Sequence, residues 1–168
     1  MIHREVGNVE LHLYGGGAGG LRTRERLAQL AKDHCVSGSV RFFPSVSLQE
    51  IPEIVVNADI GIVPKRADSF GNEAYSTKIM EFMSQGVPVV VSRTKVDSFY
   101  FDDRTVSFFE SCRADDCARA VVELLGNREL CERYVENGLK YVEKHCWENV
   151  EKDYLKLIDE LRCGREGG

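Results

Sequence analysis

Residues 69–92, SFGNEAYSTKIMEFMSQGVPVVVS, decide the fold of this chain. The apolar spacing after Ser76 predicts a short helix, and Gly86 marks its end. The run at 89–91 within the predicted strand is apolar and β-branched, which is typical of a strand buried on both faces. The stretch therefore predicts a loop, a helix and a buried strand in succession.

Strands and helices alternate on both sides of this stretch. A period of two at 9–14 predicts a strand, and Ser47 and Glu50 form a capping box that predicts the start of a helix. The alternation indicates the α/β class with a doubly wound parallel sheet. Strands are predicted at 9–14, 39–43, 59–63, 89–92 and 106–109, and helices at 21–34, 47–57, 76–84, 114–125, 128–144 and 147–162.

The carboxyl ends of the strands are the expected binding edge, because ligands of such sheets sit beyond them. The glycine run that begins at Gly15 and Gly16 follows the first strand directly. Glycines at such a turn let backbone approach a phosphate or a base. A flexible tight turn explains the same residues. The loops expected at this edge follow Tyr14, Phe43, Val63 and Ser92.

Length and composition indicate one globular domain, expected at 1–163 with a tail at 164–168. The chain has 168 residues, of which 43% are hydrophobic and 29% charged. The net charge of −5 argues against a nucleic-acid partner. No apolar run approaches the roughly 20 residues of a spanning helix, and Met1 opens no secretory leader. A cytoplasmic location is expected.

The six cysteines do not indicate a metal site. Their spacings contain no C-x-x-C and no paired cysteine and histidine cluster of the zinc type. Reduced structural or surface thiols in a reducing compartment are expected. We therefore predict no metal ligands in this chain.

The start of the helix after Ser76 is a candidate anion site. The N–H groups of the first turn have no intrahelical partners and carry the positive end of the helix dipole. Phosphate suits such a site, so Ser76, Thr77 and Lys78 are candidate binding residues. Lys65 and Arg66 enter the loop before this helix, where their charges either meet a diphosphate or are solvated.

Two glutamates lie on either side of this helix start, with seven residues between them. Thr77 and Glu81 are at i and i+4, so they share one face of the helix. A carboxylate accepts hydrogen bonds and suits the hydroxyls of a ribose or a sugar, so Glu73 and Glu81 around a phosphate site describe a nucleotide sugar. The plainer alternatives are an ion pair of Glu81 with Lys78 and a solvated loop acid at Glu73.

These motifs resemble the donor-site signature of retaining GT-B glycosyltransferases of family 4, the glycosyl transferases group 1. The two-glutamate spacing is followed by Gly86-x-Pro-Val-Val, as in that family. The resemblance covers about residues 9–162, and it implies the Rossmann-like C-terminal half of a GT-B fold. Further matching segments are 9–17, 58–64 (ADIGIVP) and Trp147-Glu148.

The resemblance implies a sugar-transfer enzyme that uses a UDP-, GDP- or ADP-sugar as donor, without a cofactor or a metal. It implies retention of anomeric configuration and a glycan or lipid-linked acceptor, as in polysaccharide biosynthesis. Glu73 would contact the sugar as the catalytic residue, and Glu81 the ribose. The other implied donor-binding residues are Gly15, Gly16, Ser76, Thr77 and Lys78.

The chain also departs from the family pattern. Pro44 stands where the family has a glycine beside the nucleotide base, which argues against base contacts from this turn. The family's first strand and helix, with the basic residues that hold the diphosphate, are not in the sequence, and neither is the N-terminal acceptor-binding domain. A missing domain or a partner chain is therefore expected, with any membrane-surface association through that half. The chain alone is expected to be inactive.

Two other functions remain open at this point. A nucleotide-sugar epimerase of GT-B fold would share the same donor-binding half. A flavodoxin-like or regulatory nucleotide-binding module would keep the fold without turnover. The residues of the absent half would decide between these alternatives and a transferase.

Overall fold

Parallel strands and intervening helices make up the fold in a computed structural model that describes residues 1–15 and 20–163. The strands are β1 (Leu11–Tyr14), β2 (Val40–Phe43), β3 (Gly61–Val63), β4 (Val89–Arg93) and β5 (Ser107–Glu110). The helices are α1 (Ile2–Val6), α2 (Gly20–Asp33), α3 (Ile51–Val55), α4 (Thr77–Ser84), α5 (Lys95–Tyr100), α6 (Ala114–Gly126), α7 (Arg128–His145) and α8 (Trp147–Cys163), with a 3-10 turn at Ser37–Ser39. The predicted α/β class with parallel strands is confirmed.

The strands of the described residues form two sheets rather than one continuous sheet. One sheet pairs β1 with β2, and the other has the order β3-β4-β5. Tyr14 pairs with Phe43 at the end of the first sheet, and Val63 pairs with Val91 in the second. Because β1 and β3 are not hydrogen-bonded to one another, each of them has an edge that no described strand covers.

Strand β4 is the centre of the core. Val89 and Val91 pack on one face with Ile79 and Met83 of α4, and partly buried residues of α7 join them. Val90 packs on the other face with residues of α6 that include Leu124. Helices therefore cover both faces of this sheet, as the prediction of a doubly wound arrangement requires.

A glycine ends α4 and connects it to β4. Gly86 has φ +69°, a backbone conformation that costs glycine little. Its N–H donates to the carbonyl oxygen of Met83 (3.0 Å), and the N–H of Val87 donates to that of Phe82 (3.1 Å). This hydrogen-bond pair is a Schellman motif, so the predicted helix stop at Gly86 is confirmed.

Some predicted boundaries are wrong. The N–H of Ser47 donates to Oε2 of Glu50 (2.9 Å), as in a capping box, but this contact closes a turn and α3 begins only at Ile51. Proline fits the first turn of a helix, which favours a start just before Pro52. Helices α1 and α5 lie in segments for which no helix was predicted. The predicted tail at 164–168 lies outside the described residues.

Within the described residues, none of the helices combines the length and the apolar character that crossing a membrane requires.

Strand β3 and helix α4 pack closely at Gly61. A Cβ atom at this position would overlap the ring of Phe82. Gly126, at the end of α6, has no atom within 4 Å of the corresponding position. An added methyl group would therefore clash with Phe82 at position 61 and would meet no packing neighbour at position 126.

Gly61→Ala should lower the free energy of unfolding by about 1–3 kcal/mol, because the added methyl group overpacks the interface of β3 with α4. Gly126→Ala is the matched control and should be neutral or slightly stabilising, because alanine favours helix over glycine. Urea denaturation of both variants checks this difference. Equal midpoints for Gly61→Ala and the wild type would contradict the described packing.

Candidate functional site

The amino end of α4 has no side-chain cap in the structure. Ser76 is the N-cap residue, with extended backbone, but its hydroxyl accepts no hydrogen bond from the first turn. The N–H of Ile79 reaches the carbonyl oxygen of Ser76 (3.2 Å). The N–H groups of Thr77 and Lys78 come before it in the exposed first turn, where an anion can use them.

Glu81 lies one turn further along the same helix. The hydroxyl of Thr77 donates to Oε1 of Glu81 (3.0 Å), so the predicted shared face is confirmed. The alternative ion pair of Glu81 with Lys78 is not among the ion pairs of the described residues. Glu81 is half-buried, and its second oxygen, Oε2, has no hydrogen bond to the described residues. The carboxylate can therefore accept a hydrogen bond from a ligand hydroxyl while it keeps the one from Thr77.

The segment of residues 65–76, named here the Glu73 loop, carries the second carboxylate. Glu73 is exposed, and its N–H donates to the carbonyl oxygen of Phe70 (3.1 Å) in a tight turn. Gly71 fits this turn because a Cβ atom there would overlap the carbonyl oxygen of Arg66. The loop thus presents Glu73 to solvent four residues before α4 begins.

Of the two cations at the start of the Glu73 loop, Arg66 is solvated, as one alternative expected, whereas Lys65 departs from both alternatives. Nζ of Lys65 lies 2.7 Å from Oδ2 of Asp97, so its charge is used inside the protein and is neither solvated nor free for a diphosphate. Arg66 is 81% exposed and lies 3.3 Å from the carboxylate of Asp68. Sequence spacing could not indicate the first contact, because Lys65 and Asp97 are 32 positions apart.

Three residues that organise this site were missed by the sequence analysis. Thr94 caps α5, since its hydroxyl accepts from the N–H of Asp97 (3.3 Å). The Oδ1 of Asn72 accepts from the N–H of Lys95 (3.0 Å). The spacing Thr94-x-x-Asp97 is itself a capping-box signal, and it could have predicted this helix.

The glycine turn lies on the other sheet. Gly15 follows β1 with φ +126°, which favours glycine. Gly16 lies outside the described residues. The ring of Tyr14 stacks on that of Phe43 with centroids 4.5 Å apart, at the paired ends of β1 and β2. The structure thus gives Gly15 the backbone that was expected of a turn, and it does not bring Gly15 into contact with Glu73.

Cysteines and acidic residues form no metal site in the part of the chain that the structure describes. No group of three or more histidine, cysteine, aspartate or glutamate side chains there is arranged to hold an ion. Among the cysteines whose side chains the structure describes, five are free thiols: Cys35, Cys112, Cys117, Cys131 and Cys146.

Tyr75 packs beside the amino end of α4. Its ring meets that of Tyr100 edge to face, with centroids 5.0 Å apart, and lies 6.0 Å from that of Phe101. Burial raises the pKa of Tyr75 to about 12, and the neighbouring Tyr141 and Tyr100 contribute to the same rise. The phenol is therefore neutral at physiological pH, and its partly exposed ring packs the end of the Glu73 loop against Tyr100 and Phe101.

The family model for glycosyl transferases group 1 matches residues 2–141. This chain therefore belongs to the glycosyl transferases group 1, and its fold is that of the C-terminal domains of GT-B glycosyltransferases. The matched range contains the Glu73 loop and all of α4.

Individual relatives agree with this assignment. The chain is 25% identical over 162 residues to the D-inositol 3-phosphate glycosyltransferase of Corynebacterium urealyticum, which covers 95% of this chain and 37% of that protein. The chain thus spans about a third of the length of the relatives that it matches.

Solved structures share the fold at lower identity. Sucrose-phosphate synthase from Thermosynechococcus elongatus matches with a TM-score of 0.84 and 20% identity, over 97% of this chain and 41% of that one. Anabaena Alr3699/HepE, solved in complex with UDP and glucose, matches with a TM-score of 0.78 and 15% identity, over 92% and 41%.

The phenol of Tyr75 should titrate near pH 12 rather than near its ordinary value of 10. Because the folded protein holds this proton more tightly than the unfolded chain, the stabilising contribution is complete below pH 10 and is lost as the pH rises toward 12. Ultraviolet titration of the wild type against Tyr75→Phe isolates the phenolate signal. A difference signal centred near pH 10 would contradict the packing described here.

Proposed function

We propose that this chain is the nucleotide-sugar-binding domain, at residues 1–163, of a retaining glycosyltransferase. The observation that carries the proposal is the uncapped amino end of α4, where the hydroxyl of Thr77 donates to the carboxylate of Glu81 one turn further along the helix. An anion site and a hydroxyl acceptor on one helix suit the diphosphate and the ribose of a nucleotide. Family membership supports sugar transfer as the reaction.

Different residues bind the diphosphate, the ribose and the sugar of the donor. The first-turn N–H groups of α4 bind the diphosphate, and the exposed ammonium of Lys78 adds positive charge at the same helix end. Glu81 accepts from a ribose hydroxyl. Glu73 cannot bind the diphosphate, because its carboxylate would repel it, so it takes the hydroxyls of the transferred sugar.

The proposed donor is a UDP-, GDP- or ADP-sugar, bound without a metal ion. Support comes from the structural neighbour of Anabaena, which was solved with UDP and glucose. Without a metal ion, the negative charge of the departing diphosphate is stabilised by N–H groups and basic side chains. Such preorganised groups commonly make the largest contribution to lowering the barrier of a transfer reaction. We propose a cytoplasmic enzyme that acts on a glycan or a lipid-linked acceptor.

The acceptor site belongs, in this proposal, to a second domain or a partner chain. The chain spans 37% of the relative from Corynebacterium urealyticum, and β1 and β3 each have an edge that no described strand covers. A strand supplied by the remainder of the enzyme would pair with both edges and join the two sheets. Transfer needs the cleft between two domains to exclude water and align the reactants. The chain alone should therefore bind donor without transferring sugar.

Glu81→Ala should weaken the binding of UDP, GDP or ADP roughly 10- to 100-fold, as expected for a lost hydrogen bond to a charged group. Glu73→Ala should leave the affinity for the free diphosphate unchanged and weaken only the binding of the matching nucleotide sugar. Calorimetry with both ligands measures the two effects. Glu123→Ala, an exposed change on α6 across the sheet, is the matched control.

Two results would contradict this assignment. One is the absence of binding heat from the wild-type chain with every nucleotide and nucleotide sugar at millimolar concentration. The other is an equal effect of Glu73→Ala and Glu81→Ala on the affinity for the free diphosphate, which would remove the division of roles.

A further inference from the structure

Asn72, the residue before Glu73, is tied to the amino end of α5. Its carbonyl oxygen accepts from the N–H of Val96 (3.2 Å), and its Oδ1 accepts from the N–H of Lys95 (3.0 Å). These are first-turn N–H groups of α5, which have no partners within that helix. One side of Glu73 is therefore fixed by a helix that follows β4.

Ala74, the residue after Glu73, is tied to Lys65. Nζ of Lys65 donates to the carbonyl oxygen of Ala74 (2.7 Å) and lies 2.7 Å from Oδ2 of Asp97 in α5. Only 15% of the Lys65 side chain is exposed, and none of that of Asp97. The same helix therefore holds both neighbours of Glu73, one directly and one through an ammonium group.

The main chain of Lys65 is fixed as well. Its N–H donates to Oγ of Ser92 in β4 (2.6 Å), and its carbonyl oxygen accepts from Oγ of Ser111 after β5 (2.8 Å). The ammonium group thus projects from a rigid point at the end of the sheet. Because the main chain of Lys65 is fixed and its ammonium group is paired, its side chain loses little further conformational freedom when it binds the carbonyl oxygen of Ala74. The lysine is therefore an effective tie.

The buried carboxylate depends on this lysine. Oδ2 of Asp97 accepts from the hydroxyl of Thr94 (2.7 Å), whereas Oδ1 is buried without a hydrogen-bond partner among the described residues. A buried charge is costly unless it is paired. Lys65 is the cation that compensates it, so removing Lys65 alone would disturb folding as well as the loop.

We propose that Lys65, Asp97 and Asn72 are positioning residues that hold Glu73 at the sugar end of the donor site. The inference rests on the proposed function, because it assigns these residues an effect on the sugar and none on the diphosphate. The ion pair acts through the carbonyl oxygen of Ala74, and Asn72 acts through the amino end of α5. Neither contact is part of α4, so the anion site stays intact when they are removed.

The decisive variant is the double substitution Lys65→Met with Asp97→Asn. Methionine keeps the unbranched stem of lysine, and asparagine keeps the shape of aspartate and an acceptor for Thr94. The pair is then neutral, so no buried charge is left unpaired and the fold is retained. The tie from the ammonium group to Ala74 is lost. Asn72→Ala is an independent variant that removes the side-chain part of the second tie, the bond from Lys95, without touching a buried charge; the main-chain bond from Val96 remains.

Two measurements on the full chain test the proposal. Amide hydrogen exchange at Glu73 and Ala74, whose N–H groups donate to Phe70, should become about tenfold faster in the double variant and in Asn72→Ala. The amides of Val90 and Val91 in β4 should exchange as in the wild type. Calorimetry then compares the nucleoside diphosphate with its glucose conjugate, using whichever of UDP, GDP and ADP the wild type binds.

The ratio of the two affinities is the readout that a purely structural role would not change. It should fall in the double variant to the value of Glu73→Ala, while the affinity for the free diphosphate stays within a factor of about two. Adding Glu73→Ala to the double variant should lower the ratio no further. Arg66→Met, which removes the exposed neighbouring cation, is the matched control and should behave as the wild type.

Each other outcome overturns the inference in a distinguishable way. Unchanged exchange at Glu73 and Ala74 shows that the ion pair does not hold the loop. Faster exchange with an unchanged affinity ratio shows that the loop is held but does not position a sugar contact. A wild-type chain that binds neither ligand contradicts the proposed function itself, and the positioning role falls with it.

Discussion

The burial of β4 is the constraint on which the rest of this structure depends. Residues 89–92 are at most 1% exposed, and their alternate side chains pack against α4 and α7 on one face and α6 on the other. The Schellman motif at Gly86 allows only a short connection into this strand, so the axis of α4 is fixed by β4. The opposite end of α4 then presents its uncapped N–H groups at the carboxyl end of β3, where the Glu73 loop begins.

Hydrogen bonds that start from the same strand also fix the loop. Thr94, directly after β4, caps α5, and α5 in turn binds both neighbours of Glu73, directly through Asn72 and through Lys65. The candidate anion site and the two carboxylates are thus all held in place by β4. The proposed donor site would gain from such preorganisation, because less conformational freedom is lost when a ligand binds.

Most of the fold could be predicted from local sequence patterns. The valine run, Gly86 and the i,i+4 spacing of Thr77 and Glu81 each depend on residues close in sequence, and the structure agrees with all three. The ion pair of Lys65 with Asp97 could not be predicted, because the two residues are remote in sequence and both lie in segments without apolar periodicity. The split into two sheets depends on strand pairing, which sequence periodicity does not encode. The assignment of Glu73 and Glu81 to a sugar and a ribose came from family resemblance and stays a prediction.

The measurement that tests the central claim most directly is a nuclear magnetic resonance titration of the amide-labelled chain with UDP. If the amino end of α4 binds the diphosphate, the amides of Thr77 and Lys78 should show the largest chemical-shift changes, while those of α6 on the opposite face of the sheet stay unchanged. Dominant shifts outside residues 65–81, with Thr77 and Lys78 unaffected, would contradict the account.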